Sequence, residues 1–438
     1  MPKFFGRVIF SSLCKAVGPG KSVGLALAVA TALCCWSGAA SAAGFALVQQ
    51  GTAAMGQGNA FVAEANDASA VFYNPAGLNQ LKRAQFYQGT FINYPDREYY
   101  SGGQFSQTNH RFYDSMTAYI AIPVHDRVAL GFGFFSPFGM GTVWPPTWAG
   151  RYITTYSSMK TYCLNPVASF KVLDNLSLAA GLDIMWSKVI LKRKTPVVIP
   201  GRNFPDGEIR LTGEGSGAGY NFGMLYEPLT GVKLGVAYRS QIKVNHAGAF
   251  TTNLGPPLGA GPTSPGEATI AFPPSLTMGI SYNRIKPFTF EFDTTWTGWS
   301  SYDKLKVNLD QHVLIRGVPT TTITTPKNWH DTFAFRFGAS YEVNDYMKVR
   351  AGYIYDLTPV PDSSFEPQVP DSNRHVFTVG QDLKIWRFTL SFAYNYILSE
   401  SRTKNNTIVT NGVPAALQAN GRYKSDIHSV GTSWAFNF

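Results

Sequence analysis

Alternation of apolar and polar positions with a period of two runs through most of the chain after residue 84. Between Leu176 and Trp186 the apolar side chains stand at even positions, whereas Ser177 and Asp183 stand at odd ones. The same alternation returns in five further segments, at 220–227, 232–239, 288–296, 333–342 and 386–396. Successive side chains of a β-strand point to opposite faces, so each segment predicts a strand with one apolar and one polar face.

Two kinds of connection separate these segments. Short turns are expected near 123–126, 173–175, 228–231, 284–287, 343–346 and 383–385. Longer loops rich in Gly, Pro and polar residues are expected near 99–110, 137–158, 195–215, 248–265, 308–328, 358–372 and 401–422. Six turns and seven loops join fourteen strands, with both ends of the series on the short-turn side. No run of 18 apolar residues follows residue 43, so a transmembrane helix is not expected.

The composition of the two faces separates a membrane barrel from a soluble β-sandwich. The apolar faces are rich in aromatic residues, and the opposite faces carry charges such as Glu291, Asp293 and Arg336. In a sandwich the apolar faces would meet in a core, whereas a membrane barrel turns them towards lipid and encloses a polar lumen. We therefore predict an all-β fold, a 14-stranded antiparallel transmembrane β-barrel over 84–438. The terminal Phe438 resembles the assembly signal of bacterial outer-membrane barrels.

The first 42 residues are typical of a cleaved secretory signal. Four basic residues flank the start of an apolar run at 23–35, which is too short to span a bilayer comfortably, and Ala40-Ser41-Ala42 forms a cleavage site. The mature chain would then begin at Ala43. An uncleaved membrane anchor is the alternative interpretation.

Charge and cysteine content exclude several other classes of function. The net charge of +10 falls to +6 without the first 42 residues, because the remaining chain has 33 basic and 27 acidic residues. No dense Lys/Arg cluster is interleaved with aromatics, so we expect no nucleic-acid partner. Cys163 is the one cysteine of the mature chain, and no Cys/His cluster has the spacing of a zinc site. No Ser/His/Asp set or GxSxG motif is present, so neither an enzyme nor a cofactor or metal site is expected.

Residues 43–83 differ from the rest of the chain because they are rich in Ala and Gly and lack clear alternation. They contain the sequence Asn74-Pro75-Ala76. Proline fixes φ and keeps the preceding residue out of the helical region, so a turn is expected there. We predict that this segment is a plug inside the barrel. The alternative is an ordinary N-terminal helical subdomain.

Three short sequences in this segment carry a family resemblance. Ala43-Gly44-Phe45, Asn66-Asp67-Ala68 and Asn74-Pro75-Ala76 together resemble the hatch of the outer-membrane long-chain fatty-acid transporter family (FadL). Segments 238–244, 296–300 and 357–361 are also similar to family segments, whereas the loop at 195–215 is shorter than in the best-known members.

The resemblance implies passive uptake of hydrophobic small molecules, long-chain fatty acids or hydrocarbons, by binding in the barrel and lateral exit into the bilayer. The implied partners are this ligand and the lipid and lipopolysaccharide of the outer membrane, and the chain is expected to be a monomer. A general water-filled porin and a structural or adhesive barrel are the alternatives. Aromatic residues of the hatch, Phe45 among them, favour an apolar pocket over a polar pore.

The resemblance also implies which residues bind the ligand. Besides Phe45, the basic residues Arg193 and His330 fall near positions where fatty-acid members hold the ligand carboxylate. Arg193 has the odd parity of Asp183, and His330 has the even parity of Arg336, so both are expected to face the lumen. A structural salt bridge to Glu227, Glu291 or Asp293 is the alternative role.

Two further sets of residues are expected to control passage of the ligand. Asn74, Pro75 and Ala76 would hold the hatch closed. Pro137 cannot donate to a strand ladder and Gly139 weakens it, so the third strand is expected to break there. The resemblance implies that ligand leaves laterally through this break, and a plain strand end is the alternative.

Overall fold

The computed structural model describes residues 44–199, 201–315, 318–407 and 418–438. The expected signal peptide and Ala43 lie outside the described residues. No helix in the described part of the chain is long and apolar enough to cross a membrane.

The barrel is built from strands separated by turns, loops and local interruptions. In chain order they are β1 (Gln85–Ser101), β2 (Gln104–Gln107), β3 (Tyr113–His125), β4 (Val128–Phe135), β5 (Gly139–Val143), β6 (Tyr156–Leu173), β7 (Leu176–Thr195), β8 (Val198–Ile199), β9 (Arg202–Asn203), β10 (Gly207–Leu229), β11 (Val232–Arg239), β12 (Ile242–Gly255), β13 (Gly259–Phe272), β14 (Ser275–Tyr282), β15 (Phe288–Thr297), β16 (Lys304–Ile315), β17 (Val318–Pro326), β18 (Thr332–Asn344), β19 (Met347–Asp356), β20 (Arg374–Ile385), β21 (Phe388–Ser399), β22 (Arg402–Lys404) and β23 (Gly421–Asn437).

These strands form a closed antiparallel barrel of fourteen staves, where a stave is one complete strand of the wall. Seven staves consist of two strands in line, namely β2–β3, β4–β5, β11–β12, β13–β14, β15–β16, β17–β18 and β21–β22. The barrel closes because β1 pairs with β23 from Gln85 opposite Asn437 to Tyr100 opposite Arg422. The predicted fold class is therefore confirmed. Closure satisfies the backbone hydrogen bonds that lipid cannot, which is why such sheets can span a membrane.

The two faces of the wall follow the predicted parity. On β7, Leu182 and Trp186 are exposed on the outer surface, whereas Asp183, Met185 and Ser187 are buried inside. The exposed aliphatic and aromatic side chains form the outer face that a membrane barrel turns towards lipid.

Several connections differ from their predicted positions. The expected turn at 383–385 lies instead at Trp386, whose φ of 56° reverses the chain between β20 and β21. The expected loop at 248–265 is mostly strand, because the β12–β13 ladder continues to Gly255 opposite Gly259. Pairing along a hairpin depends on backbone hydrogen bonds, so it extends through Gly- and Thr-rich sequence that lacks an apolar face.

An N-terminal segment, residues 44–81, lies inside the barrel. It contains the short helices α1 (Thr52–Gly56) and α2 (Ala70–Tyr73) and a 3₁₀ helix at Pro75–Gln80. These elements pack against strands on several sides of the wall: β3, β4, β6, β7, β10, β19, β20, β21 and β23. The packing is close, since a Cβ atom at Gly235 would lie 2.2 Å from the Val62 carbonyl oxygen. Small residues on both surfaces make this approach possible.

Candidate ligand-binding site

A cavity of about 140 Å³ lies between the N-terminal segment and the inner face of the wall. Part of its lining is aromatic: Phe72, Phe135, Phe138, Phe272 and Trp299. The remaining lining includes hydroxyl-bearing and charged side chains from β7, β11, β14, β15, β18 and β19. The cavity can therefore hold an apolar body and still offer polar contacts.

Phe45 packs in an aromatic cluster beside this cavity. Its ring centroid lies 4.7 Å from that of Trp299, 5.4 Å from Tyr302 and 5.6 Å from Trp329. Phe138 and Phe272, which line the cavity, also contact the Phe45 ring edge-on at 6.0 and 5.8 Å. Such aromatic pairs add about 0.5–1.5 kcal/mol each beyond the area they bury. Sequence reasoning singled out Phe45 but missed Tyr302 and Trp329, which come from connections whose composition gives no ligand signal.

The stave formed by β4 and β5 is interrupted at Ser136–Phe138, as expected from Pro137. The ladder with β6 stops at Phe135 opposite Cys163 and resumes at Gly139 opposite Lys160. The chain therefore fits one extra residue into β4–β5 at this point, which is a β-bulge. The Thr161 hydroxyl accepts from the Phe138 amide at 3.0 Å and donates to the Phe138 carbonyl at 2.6 Å.

The N-terminal segment pairs with this interruption from inside. The Leu47 amide donates to the Pro137 carbonyl, and the Gly139 amide donates to the Phe45 carbonyl, both at 2.8 Å. Ala46 completes an antiparallel bridge with Phe138. The interrupted backbone is thus satisfied by a piece of chain that belongs to the lumen and not to the wall.

On its other edge the same stave leaves a gap in the wall. The β3–β4 ladder ends at Ala118 opposite Phe134, and among the described residues β5 has a ladder partner only in β6. At the far end of β5 the Asn109 amide donates to the Val143 carbonyl at 2.8 Å. We call the space between this bond and the end of the β3–β4 ladder the wall gap. Side chains occupy it. A Cβ atom at Gly141 would lie 2.1 Å from the Tyr113 ring, and the Arg97 guanidinium donates to the Gly141 carbonyl at 2.9 Å.

The Asn74 turn fastens the N-terminal segment to the wall. The Asn74 side-chain amide donates to the carbonyl oxygens of Val62 and Met224 at 2.7 and 2.9 Å, and its oxygen accepts from the Ala76 amide at 3.2 Å. Asn74 is extended, with φ −161°, and Pro75 is the first residue of the 3₁₀ helix. The sequence predicted the turn, but the hydrogen bond to β10 joins residues 150 positions apart.

Two carboxylates of β15 hold four consecutive amides of the N-terminal segment. Asp293 accepts from the amides of residues 61 and 62 at 2.9 and 3.1 Å. Glu291 accepts from the amides of residues 63 and 64 at 2.7 and 2.9 Å. The sequence offered Glu291 and Asp293 as partners for Arg193 or His330, whereas their partners in the structure are backbone amides.

Arg193 and His330 do not line the 140 Å³ cavity. Arg193 lies near the end of β7 and lines a smaller cavity of about 60 Å³, together with Leu191, Ile209 and Glu366. His330 is exposed and lines neither cavity, so its orientation towards the lumen stays a prediction. It precedes β18, so the parity that holds within that strand does not extend to it.

Arg239 and Arg336 are the arginines that do line the 140 Å³ cavity. Arg239 forms a salt bridge to Asp183 at 2.5 Å and donates to the Phe72 carbonyl at 3.0 Å. Arg336 donates to the Thr295 hydroxyl. Sequence reasoning named Arg336 only as a polar position of its strand and did not single out Arg239, the last residue of the alternating segment 232–239. Their alternation with apolar neighbours gave their orientation but not their place in the cavity.

Comparisons with known proteins agree with this architecture. Residues 33–438 match the family described as outer membrane protein transport protein (OMPP1/FadL/TodX). The long-chain fatty acid transport protein of Escherichia coli strain CFT073 is 26% identical over 410 residues, which cover 84% of this chain and 87% of the relative.

Two solved structures share the fold. A Pseudomonas aeruginosa FadL homologue superposes with a TM-score of 0.76 at 22% identity, over 90% of this chain and 100% of its own. The Ralstonia pickettii toluene transporter TbuX superposes with a TM-score of 0.67 at 18% identity, over 89% and 98% of the two chains.

Proposed function

Because this chain belongs to the outer membrane transport protein family that includes OMPP1, FadL and TodX, we propose that it binds small hydrophobic compounds in the 140 Å³ cavity and releases them sideways through the wall gap. The family match confirms the expectation of an outer-membrane transporter of hydrophobic compounds, fatty acids or hydrocarbons. The route through the molecule is the part that we propose.

The observation that carries the route is the pairing of residues 45–47 with the interrupted stave. The segment that satisfies Pro137 and Gly139 also supplies Ala46 and Leu47 to the lining of the cavity. Its withdrawal would enlarge the cavity and remove the inner support of β5 in one step. The wall gap beside β5 is closed by side chains, and side chains change rotamer much faster than a ladder unzips.

The N-terminal segment acts as the hatch in this mechanism. The closed ladder stabilises the barrel, so the hatch can move without loss of the fold. The Asn74 turn and the carboxylates of Glu291 and Asp293 hold the middle of the hatch, from residue 61 to residue 76. Phe45 and Leu47 lie ahead of these anchors, which leaves the first residues as the moving part.

The size of the cavity bears on the ligand. An apolar cavity of about 150 Å³ is large enough for one benzene molecule. The closed cavity, at about 140 Å³, therefore suits a ligand with a single ring or a short alkyl chain. A long-chain fatty acid would need the space that residues 45–47 occupy. We propose that a charged head group would instead meet Arg193 at the smaller cavity, beside the apolar side chains of Leu191 and Ile209.

Uptake into proteoliposomes tests the route. Radiolabelled toluene and single-channel conductance are measured for the purified protein and for Phe45→Ala. We expect toluene uptake without the steady conductance of a water-filled pore, and we expect Phe45→Ala to accelerate uptake because the cavity side of the hatch loses its anchor. A large open-channel conductance in the unmodified protein would favour the porin alternative. Unchanged toluene uptake in Phe45→Ala would contradict the role of the hatch tip.

A further inference from the structure

The cavity wall formed by β14, β15 and β18 carries a row of three hydroxyl groups. Ser275 stands directly opposite Thr297, and Thr297 stands directly opposite Thr332. Directly opposed residues on one face of a sheet have Cβ atoms about 5 Å apart. All three side chains line the 140 Å³ cavity.

These hydroxyls differ from the next row of the same wall. There Thr277 and Thr295 hydrogen-bond to each other at 2.8 Å, and Thr295 also accepts from Arg336. Within the described part of the chain, the side chains of Ser275, Thr297 and Thr332 have no hydrogen-bond partner. Their oxygens are not fully enclosed, and all three residues line the cavity. A polar group in such a place favours a ligand that can hydrogen-bond to it.

The charges around the cavity argue against an anionic ligand. The cavity is lined by three carboxylates, Asp183, Asp293 and Asp356, and by two arginines. Arg239 is committed to Asp183, and Arg336 donates to Thr295. Asp356 is paired with Arg374 at 3.3 Å, so the charges around the cavity balance. A carboxylate placed here would lose its hydration without meeting an excess of positive charge, which is costly in a site of this kind.

We propose that the cavity selects a neutral, ring-sized compound that carries a hydroxyl group, such as a phenol or an aryl alcohol, in preference to the unsubstituted hydrocarbon or the corresponding carboxylate. The ring would pack on the aromatic lining that includes Phe135 and Phe272, and the hydroxyl would bond to the row Ser275–Thr297–Thr332. This inference rests on the proposed binding of ligand in the cavity.

Three probes with the same ring and methyl group test it, namely toluene, p-cresol and p-toluate at neutral pH. Binding to the full mature protein in lipid nanodiscs is measured by calorimetry, with empty nanodiscs as the blank for partition into lipid. We expect p-cresol to bind and p-toluate to show no binding above the blank. The Thr297→Val variant keeps the shape and the β-branched stem. It should lower the affinity for p-cresol by about five- to tenfold, the effect of one hydrogen bond, and leave the affinity for toluene unchanged within about twofold.

Thr289→Val is the matched control, because Thr289 lies on the same strand and is buried but does not line the cavity. Thr332→Val repeats the test on a neighbouring strand if Thr297→Val fails to fold, as judged by heat-modifiable gel mobility. If Thr297→Val lowers the affinity for toluene and p-cresol equally, or lowers neither, selection by the hydroxyl row is overturned. Ligand binding in the cavity would still stand. Binding of none of the three probes to the unmodified protein would overturn the proposed function as well.

Discussion

Two of the interrupted staves of this barrel, β4–β5 and β15–β16, are closed in different ways. At Ser136–Phe138 the backbone bonds to residues 45–47 of the hatch. Between β15 and β16 the chain instead makes a 3₁₀ turn at Trp299–Ser301. There the Gly298 amide donates to the Pro274 carbonyl at 2.9 Å, and the Lys327 amide donates to the Asp303 carbonyl at 2.7 Å.

The difference lies in what supplies the missing hydrogen bonds. The second interruption is satisfied by its own turn and by neighbouring parts of the wall, so opening it would break the barrel. The first is satisfied on one side by the N-terminal segment, which lies in the lumen and is not part of the closed ladder. An interrupted strand can open for a ligand only when the segment that replaces its missing hydrogen bonds can move away while the closed ladder of the barrel stays intact.

The largest expected effect comes from repairing the first interruption. Pro137→Val with Gly139→Val restores an amide donor and favours regular pairing with β6, so toluene uptake should fall about tenfold or more, the effect of roughly 1.4 kcal/mol. Ser300→Val at the second interruption is the control, because Ser300 is exposed there. Uptake at the unmodified rate in the double variant would show that ligand leaves by another route.

A smaller effect is expected from loosening the middle of the hatch. Asn74→Ala leaves the carbonyl groups of Val62 and Met224 without their donor, which costs about 1–3 kcal/mol in docking of the hatch. Hydrogen exchange of residues 61–64 should accelerate and ion leakage should rise, while the strands keep their protection. Gln88→Ala, on the outward side of β1, is the control. Unaltered exchange at 61–64 would contradict the anchoring role of Asn74.

The contact between hatch tip and second interruption can be measured by a double-mutant cycle. Phe45→Ala, Trp299→Ala and their combination are compared by hydrogen exchange of the hatch. We expect a coupling free energy of about 0.5–1.5 kcal/mol, as for an edge-to-face aromatic pair. The same cycle with Trp434, which lies on the outer surface against Phe86, should give no coupling to Phe45. Additive effects of the Phe45→Ala and Trp299→Ala substitutions would show that the hatch tip and the second interruption are not energetically coupled.

The smallest effect is expected at Arg193. Because its side chain is only half-buried, Arg193→Ala should weaken binding of a long-chain fatty acid by about 0.5–1.5 kcal/mol, the range for an ordinary hydrogen bond, and leave toluene unchanged. Lys188→Ala on the same strand, exposed and paired with Glu214, is the control. Equal loss of both ligands in a calorimetric titration would give Arg193 a structural role.

The sequence by itself determined the wall of this protein. A strand has a strict period of two, so the parity of Asp183 and Trp186 assigned the inner and outer faces before any contact was known. Pro137 marked the interruption for an equally local reason, because it lacks the amide donor that the ladder needs. Parity ends where a strand ends, so it does not extend to His330, which precedes β18.

Only the tertiary structure decided which residues meet inside the wall. The amide of Phe61 and the carboxylate of Asp293 lie 232 positions apart in sequence, and the amide of Gly44 reaches Asp371 across 327 positions. No local pattern encodes such a pair, because the same alternation would place Asp293 inward whatever stood in the lumen. The cavity, the aromatic cluster around Phe45 and the partner of the broken stave all depend on where the closed barrel positions the hatch.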